Sequence, residues 1–446
     1  MGTRGPLLRL RGVLGALLAS CAGLPERPEF VRLFNGRDLT GWVNVNGGPQ
    51  TWTVREGAIV CSGKPAGVLR TDRMFENFLL EMEWRHMVPG GNAGLFVWSD
   101  ALPARGEPFT RSIEVQVMDG RETENYTSHG DVFAIHGARM TPARPHPAGW
   151  ERCLPSEKRA RPSPEWNHYR VTCIDGRLAL AVNGKEVSEG SEVVPRKGYL
   201  CLESEGSEVH FRNLRILELP STAILRSDQS AQADRGFRSL FNGVDLSGWK
   251  EDPDRAGHWA AKDWILDYDG KGDHLWSVEE FGDFELIADW RWSGPAAKKA
   301  VPVILPNGEY ETDEKGNRRS VEVDEAGDSG IYVRGNDKSQ VNIWCWPIGS
   351  GEVYGYRTDP KMPAEVRAGA TPKVAADAPL GAWNRFHVRM GGDRLTVVLN
   401  GKPVIEDARL PGVPPRGRIA LQHHGSPIQF ANLYVREIGP SEGWAK

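Results

Sequence analysis

Residues 340–346 alternate amide and indole side chains with apolar ones. Gln340, Asn342, Trp344 and Trp346 occupy every second position, with Val, Ile or Cys between them. On an extended strand, these four side chains project from one face. Amides pair with hydroxyl groups and aromatic rings stack on C–H faces, so the pattern suits a sugar. The alternative is a strand whose indoles fill the core and whose amides face water, since aromatic side chains are usually buried.

The composition gives no electrostatic reason to expect a nucleic acid partner. The chain has 446 residues, a net charge of −4 and 26% charged residues, whereas proteins that bind nucleic acids carry a basic patch or stripe. Sixteen Trp, fifty-one Gly and thirty-one Pro indicate many turns and aromatic surfaces. This composition favours an all-β protein that handles glycans, and the length accommodates two domains.

Residues 1–21 have the pattern of a signal peptide. A basic opening is followed by a short apolar run that is too short to span a bilayer. The run ends in Leu-Ala-Ser-Cys, which resembles the lipobox of bacterial lipoproteins, with Cys21 as the lipidated residue. We expect an exported protein, periplasmic or on the cell surface, that meets the membrane only through a lipid on Cys21. The alternative is an ordinary signal followed by a cysteine.

The remaining cysteines number five, so at least one is unpaired even in an oxidising compartment. Their spacing is not that of a zinc site. We expect small buried residues, with a disulfide between Cys173 and Cys201 as an option.

The chain contains one long unit twice. Residues 33–42, LFNGRDLTGW, return as residues 240–249, LFNGVDLSGW, and later landmarks return in the same order. A repeat of about 200 residues is a duplicated domain, because solenoid units run only about 20 to 50 residues. We assign residues 29–219 to the first domain, 220–235 to a polar linker and 236–439 to the second domain.

Each unit has the pattern of β-strands. Phe78, Leu80, Met82 and Trp84 occur at alternate positions, as expected of a strand with one buried face. Asn-Gly pairs at 183–184 and 400–401 separate apolar runs, which is typical of a tight hairpin. Many short alternating strands joined by Gly-rich turns predict a β-sandwich in each copy.

These landmarks together resemble the 3-keto-disaccharide hydrolase family. The shared order is LFNG…DLxGW, a GNxG or GDSG turn, a Gln-containing strand, WN, NG, and a closing LQxHG followed by FxN. The resemblance covers about residues 29–219 and 236–439. It implies an all-β fold of two tandem concanavalin A-like β-sandwich, or jelly-roll, domains.

The resemblance also implies an activity on 3-keto-glycosides or 3-keto-disaccharides. A ketone at C3 acidifies the C2 proton, so a general base can remove it and expel the C1 substituent, after which water adds. Such chemistry needs a base and a group that stabilises the enolate, and a divalent metal could polarise the ketone. The alternative function is a noncatalytic carbohydrate-binding tandem, because one fold hosts many functions.

The second copy matches the family pattern better. Its closing segment, LQHHG at 421–425, places Gln422 and His424 on one face if it is extended. His424 is the candidate for the base or a metal ligand, because imidazole takes up a proton near neutral pH. We assign further catalytic roles to Asp328 and Arg334. Turn capping by Asp328, a salt bridge for Arg334 and a satisfied surface or core histidine are the structural alternatives.

Two tyrosines complete the predicted sugar cleft of the second copy. Tyr354 and Tyr356 lie at alternate positions, which on a strand would turn both towards the cleft lined by Gln340 and Trp344.

The first copy departs from the pattern at its closing segment, LESEG at 202–206, which lacks the histidines. It retains Glu114 and Gln116 on one face of a strand, followed by Asp119, as a candidate sugar or metal site. Two interpretations stay open. Either this copy binds glycan without turnover, or the two copies build one site together.

Overall fold

The computed structural model describes residues 29–119, 127 and 129–439. The predicted signal segment and Cys21 lie outside these residues and stay predictions. None of the helices in the described part is long and apolar enough to span a membrane.

The first half of the chain consists almost entirely of strands. They are β1 (Val31–Arg32), β2 (Trp42–Asn44), β3 (Trp52–Arg55), β4 (Ala58–Cys61), β5 (Gly67–Thr71), β6 (Asn77–His86), β7 (Asn92–Ser99), β8 (Ser112–Met118), β9 (Val132–Ile135), β10 (Arg139–Pro142), β11 (Arg152–Cys153), β12 (Asn167–Ile174), β13 (Arg177–Val182), β14 (Lys185–Val194), β15 (Tyr199–Ser204) and β16 (Val209–Leu219).

The second half adds further strands and two short helices. The strands are β17 (Arg238–Ser239), β18 (Trp259–Lys262), β19 (Ile265–Tyr268), β20 (Leu275–Phe281), β21 (Phe284–Trp292), β22 (Ala297–Pro302), β23 (Ser320–Glu325), β24 (Ser329–Val333), β25 (Asn336–Ile343), β26 (Asn384–Gly391), β27 (Arg394–Leu399), β28 (Lys402–Arg409), β29 (Gly417–Leu421) and β30 (Ile428–Glu437). The helices are α1 (Tyr354–Arg357) and α2 (Ala364–Gly369).

The two halves share one topology. In the first, the larger sheet contains the order β14-β13-β12-β6-β16-β4-β3, and in the second the order is β28-β27-β26-β21-β30-β19-β18. The smaller sheets contain β8-β7-β15-β5 and β25-β24-β29-β20. The predicted all-β fold of two tandem β-sandwiches is therefore confirmed, and the second copy adds a hairpin, β22–β23, that pairs with neither of its sheets.

The alternating patterns form the strands predicted for them. In β6, Phe78, Leu80, Met82 and Trp84 are buried in the core of the first sandwich. The hairpin between β13 and β14 turns at Asn183, whose φ is 48°, and Gly184, whose φ is 88°. Both central residues of such a turn need positive φ, which Asn and Gly adopt at little cost.

Each sandwich has its own apolar core between its two sheets. All five cysteines of the described part are free thiols. The optional disulfide between Cys173 and Cys201 is therefore wrong. Cys173 lies on β12 of the larger sheet and Cys201 on β15 of the smaller one, where both serve as small buried side chains.

A third apolar cluster joins the two domains. We call the outer face of each smaller sheet the front of its domain and the outer face of each larger sheet the back. Phe96 and Tyr199 from the front of the first domain contact Tyr434 and Ile287 from the back of the second. The Tyr434 hydroxyl also donates to the carbonyl oxygen of Val45 at 3.4 Å.

A buried ion pair lies at the same interface. Asp289 is fully buried on β21 and accepts two hydrogen bonds from Arg385, at 2.6 and 2.8 Å. It also accepts from the backbone N–H of Gly106 in the first domain at 2.8 Å. Arg385 in turn donates to the carbonyl oxygen of Pro103 at 3.0 Å. The pair is thus completed by backbone groups from the opposite domain.

Replacing Asp289 by Ala is expected to lower the free energy of unfolding by about 3 kcal/mol, because it leaves the Arg385 guanidinium, whose side chain is 24% exposed, without its counter-charge. Denaturant unfolding followed by tryptophan fluorescence measures the loss. The matched control is Asp393→Ala, which removes the exposed ion pair with Arg409 at 2.9 Å and should cost no more than about 1 kcal/mol. Equal losses in the two variants would contradict the structural role assigned to the buried pair.

Candidate functional site

Three amides form a connected group on the front of the second domain, and we call them the amide trio. Gln340 and Asn342 lie two positions apart on β25, and Gln422 follows the end of β29. The Nε2 of Gln340 donates to the Oε1 of Gln422 at 2.7 Å and to the Oδ1 of Asn342 at 2.9 Å. Asn342 and Gln422 accept these bonds through their oxygens, so their own NH2 groups take no part in them. All three side chains are buried, with exposed fractions of 7% or less.

A glycine gives the amide trio its space. Gly330 on β24 pairs with Asn342 across the sheet. A Cβ atom at Gly330 would stand 2.6 Å from the Nε2 of Gln340, which is closer than real Cβ contacts permit. The glycine is thus required because the Gln340 side chain lies across the backbone of the neighbouring strand.

Aromatic rings extend the front beside the amide trio. Trp276 and Tyr332 stack with their centroids 5.8 Å apart at an angle of 27°. The His274 ring meets Tyr332 edge to face at 5.0 Å. Burial raises the pKa of Tyr332 to about 12, although a hydrogen bond from Gln422 opposes that shift. Tyr332 thus keeps its proton at neutral pH and can donate it in a hydrogen bond.

Asp328 and His424 face each other at one edge of the front, and we call them the acid–imidazole pair. The Oδ2 of Asp328 and the Nδ1 of His424 are 4.0 Å apart, and their side chains are 31% and 55% exposed. Burial raises the pKa of Asp328 to about 6, and His424 opposes that shift. The structure therefore brings together two of the residues to which the sequence assigned catalysis, and both are open to solvent.

A second imidazole borders the same edge. The Nδ1 of His423 meets the hydroxyl of Tyr268 in a short hydrogen bond, and its backbone N–H donates to the Nδ1 of His274 at 3.0 Å. These contacts fix the loop 422–424 in front of β20, and they hold the backbone that presents His424.

The two indoles of the opening motif lie beyond the strand. β25 ends at Ile343, and Trp344 follows it as a buried residue whose Nε1 donates to the carbonyl oxygen of Gly349 at 2.7 Å. Trp346 stacks on Trp344 with a centroid distance of 4.1 Å and an angle of 9°. The predicted continuous strand is therefore too long, although the indoles remain at the end of the sheet where Asp328 lies.

Two predicted site residues are placed elsewhere. Tyr354 and Tyr356 lie on helix α1 and not on a strand, so their alternation does not put them on one face. Tyr356 is buried in the core and its hydroxyl donates to the carbonyl oxygen of Pro411. Tyr354 lines a different pocket with Tyr310 and Arg318. Neither joins the amide trio.

Arg334 also fails as a catalytic residue. Its buried guanidinium donates to the carbonyl oxygens of Gly282, Gly392 and Pro414 and to Asp283. Every one of these contacts ties neighbouring turns together, so the salt-bridge interpretation is correct and Arg334 has a structural role.

Sequence reasoning missed His274, Trp276 and Tyr332. His274 and Trp276 occupy alternate positions at the start of β20, and Tyr332 lies two residues after Gly330. In both segments, the residues that face the front recur at every second position. Extending each predicted strand by one or two residues beyond its apolar core would have revealed them.

The described residues do not form a metal site. No group of three or more His, Cys, Asp and Glu side chains is arranged to hold a metal ion in residues 29–119, 127 and 129–439. His424 has only Asp328 beside it, and Asp119 instead accepts from the backbone N–H of Ser163 at 3.1 Å. Protein metal sites usually need three or more such ligands, so no chemical step is assigned to a metal.

The first domain repeats the architecture of the site with different chemistry. Gly94 pairs with Gln116 across the sheet just as Gly330 pairs with Asn342. The strand registers, and the alignment of the closing segment 202–206 with 421–425, give the other equivalent positions. The equivalent pairs are Asn92 and Asp328, Glu114 and Gln340, Gln116 and Asn342, Glu203 and Gln422, and Glu205 and His424. Carboxyl groups thus replace two amides and the imidazole.

The carboxyl groups of Glu114 and Glu203 are crowded together. The Oε2 of Glu203 and the Oε1 of Glu114 stand 2.8 and 3.0 Å from the position that a Cβ on Gly94 would take. Burial, with further contributions from neighbouring carboxylates, raises the pKa of both groups well above the ordinary value. The Oε2 of Glu203 is buried without a hydrogen-bond partner among the described residues. This front therefore favours neutral carboxyls and lacks the acid–imidazole pair.

Because these pKa values are raised, the two carboxyls favour folding most below their ordinary pKa, and this contribution is lost as pH rises through the raised values. Glu203→Gln keeps the shape of the neutral acid and removes the titration. The melting temperature of the variant should match the native one near pH 4 and exceed it by at least about 3 °C at pH 8. Calorimetry measures this, with the exposed Glu251→Gln as the control. A constant difference across the range would contradict the assignment.

Several solved structures are similar to parts of the chain. A "putative glycosyl hydrolase" from Parabacteroides distasonis ATCC 8503 is 25% identical, with a TM-score of 0.34, covering 43% of this chain and 94% of that one. The carbohydrate binding module CBM66 from Bacillus subtilis is 14% identical, with a TM-score of 0.30 and coverage of 40% and 96%. The Bacillus licheniformis β-glucanase is 11% identical, with a TM-score of 0.30 and coverage of 43% and 98%. A comparison with curated proteins finds no match.

A family model matches most of the chain. The model describes a 3-keto-alpha-glucoside-1,2-lyase-like domain, and it matches residues 29–217 and again residues 236–436. The two matches coincide with the two sandwiches. The chain therefore belongs to the family of 3-keto-alpha-glucoside-1,2-lyase-like domains, of which it carries two copies in tandem.

Proposed function

We propose that the second domain cleaves glycosides whose sugar carries a ketone at C3. The observation that supports this most is the acid–imidazole pair, Asp328 and His424, at the edge of a polar and aromatic surface. A proton acceptor beside groups that can hold a sugar is what removal of the C2 proton requires.

In the proposed reaction, the imidazole of His424 takes the proton from C2. The electron pair of the C–H bond first forms an enolate with the C3 ketone. When that enolate collapses, a double bond forms between C1 and C2, and the bond from C1 to the leaving oxygen breaks. The leaving oxygen takes up the proton that His424 carries, which restores the neutral imidazole, and water then adds its hydroxyl to C1 and its proton to C2. The sum is hydrolysis, without the paired carboxylates of ordinary glycosidases.

Asp328 supports the imidazole in this scheme. Its carboxylate lies 4.0 Å from the Nδ1 of His424, close enough to stabilise the imidazolium that forms when the proton arrives. The stabilisation is largest when Asp328 is ionised, because the charges are then opposite.

Neutral donors hold the developing negative charge on the C3 oxygen. Tyr332 keeps its proton because its pKa is about 12. Asn342 retains an NH2 group that is not used within the amide trio, and Gln422 retains one N–H beyond its hydrogen bond to Tyr332. Fixed donors in a buried setting stabilise an oxyanion more strongly than water does.

Trp276 provides a surface for the apolar face of the sugar. Its ring is half-buried and stacks on Tyr332, and aromatic rings commonly pack against the C–H face of a pyranose. The first domain has Arg70 at the position equivalent to Trp276 and Glu205 at that of His424. We therefore place turnover in the second domain alone.

His424→Ala is expected to lower kcat/KM on a 3-keto-glucoside by 10²- to 10⁴-fold, the usual effect of removing an acid–base group. Released 3-keto-glucose measures the rate, with and without added divalent metal or chelator. The matched control is His258→Ala, which removes another histidine paired with an aspartate, at 2.9 Å from Asp269, and should retain native activity. If the native protein binds unoxidised oligosaccharides but cleaves nothing, the noncatalytic carbohydrate-binding function is correct instead.

The rate should also depend on the ionisation of Asp328. Because its pKa is about 6 and the ionised form supports the imidazolium, ionisation of Asp328 should raise log kcat/KM as pH rises through about 6, in addition to the rise that comes from deprotonation of the base itself. In Asp328→Asn the plateau at high pH should fall at least about tenfold, while the dependence on the neutral form of the base remains. An unchanged plateau in that variant would remove Asp328 from the mechanism.

A further inference from the structure

A large cavity lies at the end of the second sandwich, beside the acid–imidazole pair. It measures about 510 Å³, within the range of small-molecule sites. Its walls come from the end of β21, from the segment after β25, from β23 and from the loop 375–384. Four tryptophans contribute: Trp290, Trp292, Trp344 and Trp346. We call it the tryptophan cavity.

The indoles form fixed flat walls. Trp344 is 2% exposed and anchored through its Nε1 to Gly349, so it serves as a backing for the stacked and more exposed ring of Trp346. Trp290 and Trp292 meet at an angle of 70° with centroids 6.1 Å apart. Trp290 and Trp292 are 1% and 5% exposed, so Trp346 is the indole that offers a flat apolar face to a ligand, and its stacking on Trp344 fixes that face before binding.

The cavity adjoins the acid–imidazole pair through shared backbone. Ser329 pairs with Ile343, so Asp328 and Trp344 are the next residues at the same end of the sheet. A Cβ on Gly327 would stand 2.7 Å from the Cζ3 of Trp292 and 2.3 Å from the Cβ of Ser426. Trp292 thus contacts the residue before Asp328, and Ser426 is two residues after His424.

The charged side chains of the lining are acidic. Asp324 and Asp377 are the charged side chains that the described residues contribute to the lining. Asp324 forms an ion pair with Lys298 at 3.0 Å, and Asp377 accepts from the backbone N–H of Ser350. An anionic ligand would be repelled here, and a ligand with many hydroxyl groups would find few partners on the indole walls.

We propose that the tryptophan cavity binds the leaving group of the glycoside, and that it selects an uncharged aromatic ring. The inference rests on the proposed function, because the leaving group must extend from C1 past the acid–imidazole pair. The sugar lies on the front, and the aglycone enters the cavity beside Trp346. The cavity then determines which 3-keto-glycosides are cleaved rather than how the bond breaks.

Benzyl and ethyl 3-keto-glucosides of one anomeric form test this, because both release primary alcohols of similar acidity. The native protein should prefer the benzyl glycoside by about tenfold or more in kcat/KM, the size expected of an aromatic contact together with apolar burial. Trp346→Ala should reduce the preference to below about threefold, and Trp346→Phe should restore part of it. A 4-carboxybenzyl glycoside should be a poor substrate for the native protein.

The matched control is Trp150→Ala in the first domain, which removes a tryptophan that is 43% exposed and should leave the preference intact. Circular dichroism checks that each variant is folded. Equal rates for the two glycosides in the native protein, or a preference that survives in Trp346→Ala, would overturn this inference while the proposed function stood. If neither glycoside were cleaved, the proposed function would fail and this inference with it.

Discussion

The polar front of each domain depends on one glycine position, where a larger residue would displace the polar side chains that lie across it. Gly330 and Gly94 lie in the middle of their sheets, and a Cβ at either would collide with the polar groups of the neighbouring strands. With the glycine, Gln340 lies flat and binds two other amides. The missing Cβ at this glycine therefore determines how the amides are oriented. Their orientation in turn determines the polarity of the surface that a ligand meets.

The two copies share this framework and differ in what it carries. In the second, neutral amides form the floor, and the half-buried Asp328 and the exposed His424 lie at its edge. In the first, Glu114 and Glu203 replace amides, and their crowding favours the neutral acids. A carboxylic acid resembles an amide in shape, so the framework survives the exchange. The proton acceptor is lost in the first domain, because Asn92 and Glu205 replace the acid–imidazole pair.

The sequence predicted the features that depend on local periodicity. The alternation in β6 and the Asn-Gly hairpins specify backbone geometry directly, so the fold and the duplication followed. Gln340 and Asn342 were placed correctly for the same reason. Tyr354 and Tyr356 were not, because a spacing of two also occurs within a helical turn. Arg334 could not be assigned, since its acceptors Gly282, Gly392 and Pro414 are distant in the chain. His274 and Trp276 were missed because they lie at the start of their strand, next to polar residues.

The contact between the domains runs from the front of the first to the back of the second. Such an interface is heterologous, since different surfaces meet. In any head-to-tail series built in this way, every unit except the last has its ligand-facing surface covered by its successor. The order of the copies along the chain would then decide which one stays accessible, and only the terminal unit would be under selection to keep a working reaction centre. In this chain, the copy whose front is in contact with its neighbour is the one that carries Glu205 where the other has His424.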